Sequence, residues 1–219
     1  MSPRTPTARF SERVEQLLDK AEALFIQEGF FHLSTDDLAR LLHCSKRTLY
    51  SVARGREKFF AAVITRRMSR LEQRQIAEVK AAPNVEAAIL VCIEMIIQTL
   101  ESISPVYLRD LMRFPPGERA VRHTNKQITA ALAKVIERGE RENVFRKILP
   151  QVAAEALVAS IRRMIDPEFL ATSRVTSAEA VRQVYRIFWF GLRANQTNNG
   201  DLRLPRYSQR QNLAAAAKA

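Results

Sequence analysis

Apolar residues Val14, Leu17, Leu18, Ala21, Leu24 and Phe25 recur at the three- and four-residue spacing of a helix with one buried stripe. Ser11 would cap that helix, Glu12 and Glu15 would occupy its first turn near the positive end of the dipole, and Gly29 would end it. Ser34-Thr35-Asp36-Asp37 then reads as a capping box, followed by Leu38, Leu41 and Leu42 on a helix of about two turns. His43-Cys44-Ser45 breaks the pattern, and Ser45 caps a third short helix over residues 46–52, with Leu49 facing inward. Downstream the breaks fall at Pro83-Asn84, Pro105, Pro115-Pro116-Gly117, Pro150 and Asp166-Pro167, with helical periodicity between them. Residues 85–100 are apolar nearly all round, which predicts a helix buried inside a bundle. Further helices are predicted over 118–141, 151–165 and 178–194, the last opened by Thr176-Ser177-Ala178-Glu179 and striped by Val181, Val184, Tyr185, Phe188 and Leu192.

The composition agrees with this all-α reading. In 219 residues, 47% are hydrophobic, enough for a sizeable core, while 6 Gly and 9 Pro are too few for a fold of many turns. The pattern divides the chain into a short basic arm (1–10), a head of three helical segments (11–60), a helical bundle (61–195) and a loose tail (196–219). Cys44 and Cys92 have no ligand or redox spacing and read as ordinary core thiols in a reduced compartment. The first ten residues carry no signal-peptide core, and the longest apolar run, 87–93, is far short of the roughly 20 residues that cross a bilayer. A cytoplasmic protein without a membrane partner is the expectation.

Charge sharpens the picture through its placement. The chain carries 35 Lys and Arg against 23 Asp and Glu, a formal +12. Residues 38–70 hold nine basic side chains against Glu57 alone, a local +8, whereas residues 10–37 sum to −5. Lys46 and Arg47 sit at the N-terminal end of their short helix, where the dipole favours acids, so an anion docking there would account for them. Two short helices joined by a three-residue turn, the second polar and basic, form the helix-turn-helix pattern whose second helix enters the major groove of double-stranded DNA. Thr35, Ser45, Lys46, Arg47, Thr48, Tyr50, Ser51, Arg54 and Arg56 are the candidate contacts. Arg4 and Arg9 of the arm could enter a minor groove, or merely solubilise a tail. Arg66, Arg67 and Arg70, past the motif, read as solvated charges adding a diffuse field.

The strings Phe25-Ile-Gln-Glu-Gly29-Phe30, Ser34-Thr35-Asp-Asp-Leu38-Ala39, Cys44-Ser45-Lys46-Arg47-Thr48-Leu49-Tyr50 and Arg56-Glu57-Lys58-Phe59 resemble the tetracycline-repressor (TetR) family over roughly residues 11–64. The resemblance implies an α-helical homodimer, an operator half-site read by each N-terminal domain, and a C-terminal domain with a small-molecule pocket and the dimer contact. A repressor released by a small organic ligand is the function it implies. Four positions depart from the usual pattern: Val52 stands where an aromatic or His is common, Ala53 where a larger apolar residue is, His43 where Gly or Ala is, and Arg56 replaces the usual Lys.

In the C-terminal half, Met95, Tyr107, Met112, Phe114, Phe145, Phe169 and Trp189 are large, adaptable side chains suited to a pocket for an unidentified apolar ligand, or to ordinary core. Val152, Ala156, Leu157 and Ser160 on one helix and Val184, Tyr185 and Phe188 on another look like the two helices that pair with their mates in the resembled family. No catalytic, cofactor or metal site is expected, because His32, His43 and His123 are scattered and no HExxH, GxSxG or Gly-rich phosphate loop occurs. A nonspecific architectural DNA-binder and a helical enzyme or adaptor remain as other classes.

Overall fold

Proline and short polar side chains start the helices of this chain. In the computed structural model, which describes residues 6–193, the described residues form ten helices. They are α1 (Pro6–Glu28), α2 (Thr35–Leu41), α3 (Lys46–Val52), α4 (Arg56–Ala81), α5 (Val85–Glu101), α6 (Pro105–Arg113), α7 (Pro115–Arg141), α8 (Pro150–Met164), α9 (Pro167–Ser173) and α10 (Ser177–Leu192). Proline stands in the first turn of α6, α7, α8 and α9, where its missing N–H costs nothing. Ser34, Ser45, Asn84, Ser104, Asp166 and Thr176 each cap a helix by accepting a backbone N–H. Helix α1 starts at Pro6, not beyond a Ser11 cap, so residues 6–10 belong to a helix and the expected arm is shortened. Arg9 therefore lies within α1, while Arg4 and the tail beyond 193 lie outside the described residues.

The first core is aromatic. Phe25, Phe30, Phe59 and Phe60 are buried with Leu17, Leu38, Leu49 and Ile64, and Phe30 touches the rings of Phe25, Phe60 and Phe114 at 5.4, 5.1 and 5.6 Å. Tyr107, Leu111 and Phe114, at and just after α6, complete this core, so the head is not closed by its own segment. Helix α4 runs unbroken across residue 60, and core residues from it continue to Met68. The expected boundary at 60 thus falls inside a helix and marks no linker.

The second core is aliphatic and lies among α5, α7, α8 and α10, around Ile89, Ile93, Ile136, Leu157, Ile161 and Val181. Helix α5 buries one face, with Leu90 left 42% exposed, so its all-round apolarity exceeds what the bundle covers. No single described helix is long and apolar enough to cross a membrane.

Polar stitches fasten the head to α6. Gly29 ends α1 at φ 79°, and a Cβ there would come within 2.6 Å of Val106 Cγ1 and 2.7 Å of Asp110 Oδ2. Asp110, 5% exposed, accepts hydrogen bonds from the backbone N–H groups of Phe30 (2.8 Å) and Phe31 (3.1 Å). The Ser104 N–H donates to Ile26 C=O at 2.8 Å. Three donors at the end of α1 and the start of α6 are satisfied by this one seam.

Candidate DNA interface and ligand cavity

The expected helix-turn-helix is present, and its geometry follows from local chemistry. Ser34 Oγ accepts from Asp37 N–H (3.1 Å) while Asp37 Oδ2 accepts from Ser34 N–H (3.1 Å), the reciprocal box that starts α2. The Ser34 hydroxyl, which donates to Asp37 Oδ2 at 2.6 Å, then the Ser34 N–H and Arg40, hold the Asp37 carboxyl down to about 2. After Leu42 the chain turns at His43, whose φ of 51° is left-handed, a conformation His tolerates better than branched residues do. Ser45 Oγ then accepts from Thr48 N–H at 3.1 Å and starts α3. Leu49 is 2% exposed and anchors α3 to the head core, so the opposite face is presented outward. Gly55, at φ 107°, makes the turn into α4 in a conformation that a Cβ would oppose.

Six of the nine candidate contacts are plainly exposed on α3 and its flanks: Ser45, Lys46, Arg47, Tyr50, Ser51 and Arg54. Thr35 and Thr48 are half-buried. Arg47 and Arg54 make no ion pair among the described residues and are the free cations of this surface. Lys46 is different: its Nζ lies 2.6 Å from Asp36 Oδ1, which raises the lysine's proton affinity. The misplaced cation at the helix start therefore has a local partner across the turn. Arg56 is exposed, yet its guanidinium donates to Leu33 C=O at 3.4 Å and lies over the Phe60 ring at 5.6 Å, so it also braces the head. Ser51 Oγ donates to its own helix at Thr48 C=O, 2.7 Å away.

The reading of Arg66, Arg67 and Arg70 as solvated charges is overturned. Arg66 reaches Glu15 (2.5 Å) and Asp19 (2.8 Å), Arg67 reaches Glu22 (2.9 Å), and Arg70 reaches Asp19 (3.0 Å) and Glu22. Three arginines of α4 thus clasp three acids of α1, and the Arg66 hydrogen bond leads the effects that lower the Asp19 carboxyl's pKa. Part of the opposite charge of residues 10–37 and 38–70 is therefore matched in one ion-pair seam, while Arg47 and Arg54 stay outside it. Cys44 is half-buried against the head core, and burial pushes its thiol up, away from nucleophilic thiolate.

The expected ligand residues do not converge. Tyr107 and Phe114 are in the head core, where Tyr107 is 1% exposed. Phe145 is buried against Trp189 on the far side of the body (6.3 Å between rings), Met95 sits half-buried on α5, and Phe169 lies beneath Arg163 on α9. Only Met112 lines the large cavity of about 570 Å3 between the end of α6, α7 and α8. Its walls mix Met112, Val121 and Val158 with a charged rim, and none of the expected aromatic side chains lines it. Sequence pattern missed it because its residues are spread over three helices and look like ordinary solvated faces.

The dimer residues need a similar correction. Leu157 and Val184 are buried inside the body, and Tyr185 and Phe188 are half-buried against its core. Val152 (58% exposed) and Ala156 do point outward, and Ser160 is half-buried. The outward apolar side chains that pattern reading passed over are Leu149, Ile187 and Phe190, each 71% exposed. Helix α10 has two apolar stripes, and the richer one faces its own core. Among the described residues no cluster of His, Cys, Asp or Glu could hold a metal ion.

With the geometry in place, likeness to known proteins is informative. Residues 17–63 match the family model for bacterial regulatory proteins of the tetR family. An uncharacterized HTH-type transcriptional regulator of Bacillus subtilis (strain 168), YvaF, is 22% identical over 185 residues, which is 83% of this chain and 96% of that one. Among solved structures, a TetR transcription regulator from Haloarcula marismortui superposes with a TM-score of 0.70 at 16% identity, covering 84% of this chain and 100% of that one. A transcriptional regulator from Saccharomonospora viridis, in complex with choline, gives 0.62 at 18% identity over 84% of this chain and 100% of that one.

Proposed function

The chain belongs to the tetR family of bacterial regulatory proteins, and on that premise we propose that it is a homodimeric repressor whose paired α3 helices read a palindromic operator and release it when a small organic ligand binds the body. The observation that carries this reading is the presentation of α3. Leu49 fixes one face of a capped two-turn helix in the core, while Arg47, Tyr50 and Arg54 stand free on the other. Arg47 at the helix start is placed to meet a base edge or phosphate, and Arg54 supplies a phosphate contact beside Val52, which has no ring to offer. Ser45, Thr48, Tyr50 and Ser51 supply hydroxyl contacts, Thr35 meets the backbone from the start of α2, Lys46 acts on leaving Asp36, and Arg56 acts while bracing Leu33. The recognition unit is α1 to α3 with the first half of α4, and the rest of the described chain is the ligand-binding and dimerising body.

Two copies are proposed to meet through α8 and α10. Leu149, Val152, Ile187 and Phe190 are exposed apolar side chains at the start of α8 and on α10, two helices that pack together, and a two-fold partner would cover them with the same residues. A structure of this fold holds choline, which supports a small-molecule role for the body. The test is selection from a pool of random duplexes by the purified full-length chain at about 0.15 M salt, where nonspecific attraction is suppressed. An enriched palindrome with half-sites about 34–36 Å apart is the expected result. Tight binding with no enriched site would replace the proposal with the architectural reading, and no binding at low salt would remove DNA from the function.

A further inference from the structure

We propose that the cavity between α6, α7 and α8 is the effector site and that it takes a monoanionic amphiphile, a carboxylate on a compact apolar body, anchored by Lys126 and Arg162. The inference rests on the regulator reading for its biological consequence, and on the cavity alone for its chemistry.

At about 570 Å3 the cavity lies within the range of about 300–1,000 Å3 typical of small-molecule sites. Its apolar wall comes from all three helices, as Met112 on α6, Val121 on α7 and Val158 on α8. Its charges fall into two sets. Glu118 is paired with Arg122 and Asp166 with Arg163, each at 3.0 Å, so these four groups neutralise one another. Lys126 on α7 and Arg162 on α8 also line the cavity, and neither has an ion pair or hydrogen bond among the described residues. Glu155, the remaining acid of the lining, accepts a hydrogen bond from Gln151 at 3.5 Å and is not ion-paired. Two uncommitted cations against one uncommitted acid leave a net +1, which complements a single negative charge and disfavours a cation. Arg162 offers a planar fork suited to a carboxylate, and Lys126 a mobile point charge.

One wall residue of the cavity sits on the helix that fastens the head. Met112 is two residues beyond Asp110, the carboxylate that holds the Phe30 and Phe31 N–H groups. An occupant that displaces Met112 acts on the same short helix, α6, that positions the entry to α2.

The full-length protein is titrated calorimetrically with octanoate, octan-1-ol and octylammonium, which share a chain and differ in head-group charge. Binding by octanoate with at least tenfold preference over the other two is expected, each charge-assisted hydrogen bond to the carboxylate being worth about tenfold. Lys126→Ala and Arg162→Ala should each weaken octanoate about tenfold, with Arg162→Lys recovering part of the loss. Both positions are exposed, so the fold is retained, and Val158→Trp provides an uncharged block that should abolish binding by filling the cavity. Equal binding of the alcohol or the amine, no binding of octanoate, or unchanged octanoate affinity in the Lys126/Arg162 double variant would overturn the site. Duplex affinity is measured in parallel. Octanoate that binds without weakening the operator complex leaves the site standing and overturns its role as effector, whereas failure of the unliganded protein to bind any duplex strikes the regulator reading alone.

Discussion

The head and the body solve the problem of polar groups in opposite ways. In the head, charge away from the free Arg47 and Arg54 is matched internally: Arg66, Arg67 and Arg70 by Glu15, Asp19 and Glu22, Lys46 by Asp36 and Asp110 by two backbone donors. In the body, the core is aliphatic, and both apolar and charged groups are left facing outward, as Ile187 and Phe190 on α10 and Lys126 and Arg162 at the cavity. A segment that must hold a recognition helix at a fixed angle benefits from closing its own interactions. A segment proposed to meet a partner copy and an effector has to leave some unmade.

The sharpest way to break this contrast is to polarise the open face. Ile187→Glu with Phe190→Glu should convert a dimer to a monomer in sedimentation, since four such side chains per dimer at roughly 1.5–3 kcal/mol each lose their burial. If the double variant sediments as wild type does, that face is not the contact. Next in size, Asp110→Ala strands the Phe30 and Phe31 donors and should cost about 2–4 kcal/mol in denaturant unfolding. The same truncation at exposed Lys126 should leave stability within about 0.5 kcal/mol.

Within the head, Arg47→Ala should weaken operator binding by about 1–3 kcal/mol, and Lys46→Ala by less, because only the lysine must give up an internal carboxylate to reach DNA. Equal losses in a duplex-binding titration would show that the Asp36 pair does not restrain Lys46. The smallest effect is on acidification. The Asp37 carboxyl sits near 2 in the folded chain against about 3.9 unfolded, so its contribution is complete above pH 4 and is lost as pH falls through 2. Hydrogen exchange of the α2 amides should therefore lose protection over that window, and Ser34→Ala should reduce this dependence.

The short-range features were legible in the sequence because they are written in adjacent residues. The Ser34 and Ser45 caps, the span Lys46–Val52 and the inward Leu49 all follow from contacts within four positions, whereas Pro115-Pro116-Gly117, expected as a break, is the first turn of α7. What escaped was set at long range or by competition between faces. The partners of Arg66, Arg67 and Arg70 lie 45 to 51 residues away, and no local pattern joins them. Tyr107 and Phe114 follow 77 and 84 positions after Phe30, whose ring they meet in the head core. On α10 both apolar stripes have helical spacing, and periodicity alone cannot say which one the bundle covers. The cavity was least legible of all, since Arg162 in isolation has the signature of a solvated charge.

Helix α4 gives these local details a reach. Its 26 residues begin at the turn beyond α3 and end in the body, so it is a rod about 39 Å long. A tilt of only about 5° about its body end sweeps its head end through roughly 3.4 Å, the axial rise per nucleotide of a DNA strand. Through a rod of that length, a change in the body too small to disturb its packing is enough to move α3 by one nucleotide step, which on the proposed reading is the difference between a matched and a missed half-site.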